Sequence, residues 1–171
     1  PQEADTKAIM LAKFPVYEQH LVFDKEAKEM DPVLWTEVNT SYGEKKSVTL
    51  PDGSVMWLHN GSRLIFPSQF DGGIRQVYGF GEIYSEIAKD PEHPLILSSS
   101  GINVKVTGTV FNFRSFQEDS SAEVTLIDGA VELDVSAGGR TKRIPVQPGT
   151  ATQVDLLEGT VRNVSIDIPS Y

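Results

Sequence analysis

The 171-residue chain carries 15 Lys and Arg against 24 Asp and Glu, a net charge of −9, which argues against nucleic acid or an anionic membrane surface as a partner, since both call for clustered cations. With no cysteine, disulfide staples, thiolate metal sites and cysteine nucleophiles fall outside its chemistry. Its 39% apolar and 23% charged residues are those of a globular domain, and its longest apolar run, Ala8–Ala12, is far short of the roughly 20 residues that span a bilayer.

The chain starts at Pro1 rather than Met, which reads as a processed or trimmed product with any targeting segment outside it. Residues 1–46 are mixed. Thr6–Lys13 and Asp24–Met30 match short helical turns broken by Pro15 and Pro32, and nothing in the segment predicts a stable element. From Ser47 the texture changes to short β-type runs punctuated by Gly, Pro, Asn and Asp. Strands are predicted at 47–50, 55–58, 63–66, 74–79, 82–88, 94–98, 102–106, 109–116, 122–127, 130–135, 142–146, 151–154 and 161–166. No helix-period segment separates them, so the fold is read as all-β: a jelly-roll-like, two-sheet sandwich or roll of short antiparallel strands, with a short β-solenoid as the alternative.

An internal echo accompanies these runs. Val48-Thr49-Leu50-Pro51-Asp52-Gly53-Ser54-Val55 and Val124-Thr125-Leu126-Ile127-Asp128-Gly129-Ala130-Val131 share Val-Thr-Leu, Asp-Gly and a closing Val in the same register. Asp-Gly between apolar-alternating runs is the signature of a tight hairpin, because the turn needs positive φ. Thr107-Gly108-Thr109 and Asn60-Gly61-Ser62 read as two further turns of this type.

Catalytic and metal-binding groups are thin. His20, His59 and His93 lie far apart without metal-ligand spacing, and the latter two read as surface-loop residues. Ser98-Ser99-Ser100-Gly101 has no G-x-S-x-G elbow and reads as a polar loop. Gly79-Phe80-Gly81 is followed by an alternating strand pattern rather than a helix, so its glycines mark a bulge or close packing rather than an anion loop. Glu82 and Glu86 share a strand face with Tyr78, Phe80 and Tyr84, read as a solvent-facing strip with aromatic cross-strand packing. Three Asn-x-Ser matches begin at Asn39, Asn60 and Asn163, and imply glycosylation only in a eukaryotic secretory setting. No catalytic residue, cofactor site or metal site is assigned. Trp57, Tyr78, Phe80 and Tyr84 are instead the candidate partner-contact aromatics, and they motivate an alternative reading as a carbohydrate- or cell-wall-binding β-module.

Several blocks in order resemble the FecR family of periplasmic sensors and sigma regulators. They are Leu50-Pro51-Asp52-Gly53-Ser54-Val55-Met56-Trp57-Leu58, Gly61-Ser62-Arg63-Leu64, Arg75-Gln76-Val77-Tyr78, Gly81-Glu82-Ile83-Tyr84 and Gly108-Thr109-Val110-Phe111, then Gly129 within Val124–Val131 and the closing Pro148-Gly149. Within them Leu50, Asp52, Gly53, Ser54, Gly61, Ser62, Leu64, Arg75, Val77, Gly81, Glu82, Tyr84, Gly108, Thr109, Phe111, Gly129, Pro148 and Gly149 are taken as structural motif residues. The chain departs from the family at Gly79 and Ser85, where large apolar residues are usual, so either the core thins there or another segment fills it.

The resemblance implies a juxtamembrane-type extension over 1–46, the FecR-like domain over 47–158, and over 159–171 a linker toward a C-terminal signalling module outside the chain. It further implies the periplasmic part of an inner-membrane anti-sigma factor, anchored by a transmembrane segment outside this chain. Its protein partners would be the signalling domain of a TonB-dependent transducer and, through a cytoplasmic part, an extracytoplasmic-function sigma factor. It implies no enzymatic activity and no cofactor.

Overall fold

A computed structural model describes residues 32–116 and 118–166, and in them the alternation of the sequence is converted into thirteen strands. These are β1 (Trp35–Asn39), β2 (Lys46–Thr49), β3 (Val55–Leu58), β4 (Arg63–Pro67), β5 (Arg75–Glu86), β6 (Leu95–Ser99), β7 (Ile102–Val106), β8 (Val110–Ser115), β9 (Ser121–Asp128), β10 (Val131–Ala137), β11 (Arg140–Val146), β12 (Thr150–Asp155) and β13 (Val161–Ser165). No helix occurs among the described residues. The expected helical turns at Thr6–Lys13 and Asp24–Met30, and His20, lie outside them.

One layer runs β1-β4-β5-β6-β7-β10-β11 and the other β2-β3-β5-β8-β9-β12-β13. Every pairing is antiparallel except β5 with β6. The twelve-residue strand β5 belongs to both layers, so a single curled sheet folds over on itself into the expected roll. Its first half pairs with β4 through Phe80, and its second half pairs with β8 from Gly81. Between the layers lies one continuous core. Leu64, Val77, Leu97, Val104 and Leu133 from the first meet Met56, Leu58, Ile83, Phe111, Phe113, Val124 and Leu126 from the second, each large side chain contributing roughly 1.5–3 kcal/mol by burial.

Four readings are corrected. Predicted strands 74–79 and 82–88 are one strand, because Gly79 and Gly81 sit on its buried face, where lost β propensity is repaid by packing. Trp35–Asn39, inside the amino-terminal stretch, is a strand paired with β4. Ser98 and Ser99 are the end of β6, not a loop. Finally, of the four turns read as hairpin-like, only the one at Asp52-Gly53 joins paired strands, β2 and β3.

The other three turns connect strands that do not pair with each other. Asn60-Gly61-Ser62 joins β3 and β4, which lie end to end along β5. Thr107-Gly108-Thr109 and Asp128-Gly129 are corners where the chain leaves one layer for the other. Gly129 has φ +97°, and a Cβ there would lie 2.7 Å from the Gly108 carbonyl oxygen. Thr109 Oγ1 ties the two corners by donating to the Ala130 carbonyl at 2.8 Å.

The departures at Gly79 and Ser85 have different outcomes. A Cβ at Gly79 would lie 2.7 Å from Leu97 Cδ1 and 2.9 Å from Ile83 Cδ1, so neighbouring side chains fill that gap. Ser85 is fully buried and its Oγ has no hydrogen-bond partner among the described residues, a cost of about 1–3 kcal/mol.

Candidate interaction face

The motif residues gather into two buried junctions. At the first, the β2–β3 turn is closed by Gly53 N–H donating to the Leu50 carbonyl at 3.0 Å, with Gly53 at φ +89°. This places the Asp52 carboxylate against Arg75, whose Nη1 lies 2.7 Å from Asp52 Oδ2 with the Arg75 side chain only 3% exposed. The guanidinium also donates to the carbonyls of His93, Ala88 (2.8 Å) and Asp90 (3.5 Å). Ser54 Oγ donates to Asp52 Oδ2 at 2.9 Å and accepts from Ala88 N–H at 2.8 Å. Arg75 thus fastens the start of β5 to the chain that follows its end. That segment is in turn packed beneath the corner at Gly108, where a Cβ would lie 2.8 Å from Lys89 Cα.

The second junction lies where β5 changes layers. Gly81 has φ +95°, and a Cβ there would fall 2.5 Å from Ser62 Oγ and 2.7 Å from Ser62 Cα. Ser62 Oγ accepts from Glu82 N–H at 2.9 Å. Thr40 Oγ1 accepts from Ser62 N–H at 2.9 Å and donates to the His59 carbonyl. Leu64 and Val77, with Phe111 from β8, enter the core beyond it. Gly149 closes the β11–β12 turn, its N–H donating to the Leu126 carbonyl at 3.1 Å while its own carbonyl accepts from Ile166 N–H at 3.0 Å; Pro148 is exposed beside it.

Of the aromatic candidates, Tyr78, Phe80 and Tyr84 line the outer face of β5 and Trp57 stands on the neighbouring β3, all of them half-buried. Trp57 and Tyr84 stand 5.5 Å apart at 54°, Tyr78 and Trp35 stand 5.7 Å apart at 49°, and the Arg63 guanidinium lies 4.6 Å above the Phe80 ring. These rings therefore pack tilted against neighbours and do not form a coplanar platform. Burial pushes the Tyr78 phenol above its ordinary pKa. Glu82 is half-buried and Glu86 exposed on the same face. Of the histidines, His59 is half-buried and His93 exposed, with His93 Nδ1 2.9 Å from Asp90 Oδ2.

Sequence reasoning missed the cleft beside the second junction. It is lined by Asn39, Tyr42, Asn60, Arg63, Phe80 and Phe116, among others. Tyr42, 97% exposed, stands on a turn closed by Glu44 N–H donating to the Ser41 carbonyl at 3.1 Å, and Ser41 N–H donates back to Glu44 Oε1 at 2.9 Å. That backbone bond, with Lys46 assisting, lowers the Glu44 pKa. The available signal was the pair of Asn-x-Ser matches at Asn39 and Asn60, which the fold brings to one cleft. Among the described residues no group of His, Asp and Glu could hold a metal ion, and no helix is long and apolar enough to cross a membrane.

A family model described as FecR protein matches residues 36–132. Two crystal structures of a "putative anti-sigma factor" from Parabacteroides distasonis ATCC 8503 are similar to this chain. One is 33% identical with a TM-score of 0.71, over 78% of this chain and 61% of that one. The other is 32% identical with a TM-score of 0.69, over 77% and 60%. The chain thus spans about three fifths of the length of those structures. No curated protein matches it.

Proposed function

Because the chain belongs to the FecR family, we propose that it is the periplasmic portion of an anti-sigma factor. In this reading it relays the state of an outer-membrane TonB-dependent transducer to an extracytoplasmic-function sigma factor held by a cytoplasmic part of the same protein. The observation that carries the reading is the family match over residues 36–132, joined to a "putative anti-sigma factor" 33% identical over the same roll. The two junctions support it physically. They hold both layers as one body through Arg75 and Gly81, so that a partner seated on any outer face acts on the whole domain. A relay of this kind works only through a difference in the partner's affinity for two states of the regulator.

The test is an in-frame deletion of residues 32–166 from the chromosomal gene, followed by transcript sequencing with and without the inducing condition. A single sigma-dependent set of transcripts should lose its response to induction. An unchanged transcript profile in both conditions would overturn the regulatory reading.

A further inference from the structure

The cleft beside the β5 crossing contains groups that the regulatory reading leaves unused. Its volume is about 540 Å³, inside the roughly 300–1,000 Å³ of small-molecule sites, which combine apolar walls with a few polar groups. Phe80 and Phe116 line it half-buried, while Asn39, Tyr42 and Asn60 are exposed along it. Neither asparagine side-chain amide has a partner among the described residues, and Tyr42 offers its ring almost entirely to solvent.

The chemistry of the lining narrows what can enter. An added β-strand finds little backbone to pair with, because Thr40 N–H donates to the Ser62 carbonyl, Ser62 N–H to Thr40 Oγ1, and Glu82 N–H to Ser62 Oγ, while the Asn39 carbonyl accepts from Lys46 Nζ. An anion meets Glu118 in the same cleft and an Arg63 already 3.4 Å from Glu37 Oε1 and stacked on Phe80. A wholly apolar ligand would leave the Asn39 and Asn60 amides desolvated and unpaired, at about 1–3 kcal/mol each. A neutral ring with one apolar face and a hydroxyl edge satisfies all of these groups. Its C–H face packs on an aromatic ring, and its hydroxyls donate to and accept from planar amides that each offer both functions.

We propose that this cleft is a saccharide-binding site, read by Tyr42, Asn39 and Asn60 over the Phe80–Phe116 wall. The inference goes beyond the anti-sigma reading and does not rest on it. It also moves carbohydrate recognition away from the tilted rings of Trp57, Tyr78 and Tyr84, which already pack on their neighbours or are half-buried.

The test is to screen the 171-residue chain on an array of neutral oligosaccharides and to titrate the strongest hit by calorimetry and by 15N chemical-shift mapping. A hit should move the Asn39, Tyr42 and Asn60 signals. Tyr42→Ala and Asn60→Ala should each weaken it roughly tenfold, the loss of about one contact, with melting temperature unchanged, and Trp57→Phe should leave affinity intact. No bound glycan, a hit unaffected by both cleft variants, or shifts confined to the Trp57–Tyr84 face would overturn the proposal. So would a peptide, selected from a random library, that occupies Tyr42 and Asn60 while every glycan fails. None of these outcomes bears on the transcript test of the regulatory reading.

Discussion

The segments Val48–Val55 and Val124–Val131 share their letters but not their structures. In the first, Asp52 is drawn inward to the Arg75 guanidinium, while Gly53 has none of the described residues within 4 Å of where a Cβ would stand. In the second, Asp128 is exposed, and Gly129 is pressed against Gly108 and Thr109. The aspartate stabilises one segment and the glycine the other. The strands on either side pair with each other in the first and part into separate layers in the second. A shared motif therefore reports a shared turn conformation, with positive φ at both glycines, and leaves the role of each residue to whatever the fold brings alongside.

Paired substitutions can break or sharpen this contrast. Asp52→Ala strands a buried guanidinium and should cost about 3–5 kcal/mol, whereas Asp128→Ala should stay within about 0.5 kcal/mol. Urea midpoints at constant slope measure both, and equal effects would abolish the distinction. Gly129→Ala should combine about 1–2 kcal/mol of backbone strain with about 1–3 kcal/mol of overpacking against Gly108. Gly53→Ala should show the strain alone, and the same denaturation series compares them. Ser54→Ala makes the first segment match the second, which has Ala130, and leaves Ala88 N–H unbonded at about 1–3 kcal/mol; Ala130→Ser, at an exposed position, should be silent.

The smallest effect lies outside both segments. The raised Tyr78 pKa stabilises the fold fully below the ordinary tyrosine value of about 10, and that contribution is lost as pH climbs through the raised value. A spectrophotometric titration should show a phenol phase above the ordinary tyrosine range, and Tyr78→Phe should remove it.

Much of the roll was legible because its strands alternate cleanly. Val131, Leu133 and Val135 face inward while Glu132, Asp134 and Ser136 face out, and such a pattern has a single reading. What failed was pairing, which depends on segments distant in sequence. Nothing local in Asp128-Gly129 distinguishes a corner from a hairpin. The Gly79-Phe80-Gly81 run lowers strand propensity for a reason, contact with Leu97 and Ser62, that exists only once the layers are assembled. Trp35–Asn39 was hidden by its Lys- and Glu-rich surroundings, although Val33, Trp35 and Val38 carry the β-branched and aromatic signature. The motif residues could be listed from the sequence, but their division into an Arg75 junction and a Gly81 junction required the fold. The cleft was invisible because Asn39 and Asn60 are neighbours only across β1 and the β3–β4 turn.

A strand held in common by both layers also constrains the order in which the chain can fold. The first half of β5 meets β4, a near neighbour in sequence, as soon as the two are made. The second half meets β3 as early, but its other flank must wait for β8, where Gly81 pairs with Ser115 and Glu86 with Val110. Until then one flank of the central strand is open, with Ile83 and Ser85 uncovered on the face that will become the core. Distant pairings of this kind slow folding, and an unpaired central strand is a template for wrong partners. Until β8 arrives, the second half of β5 thus presents an open edge inside what will become the middle of the sheet.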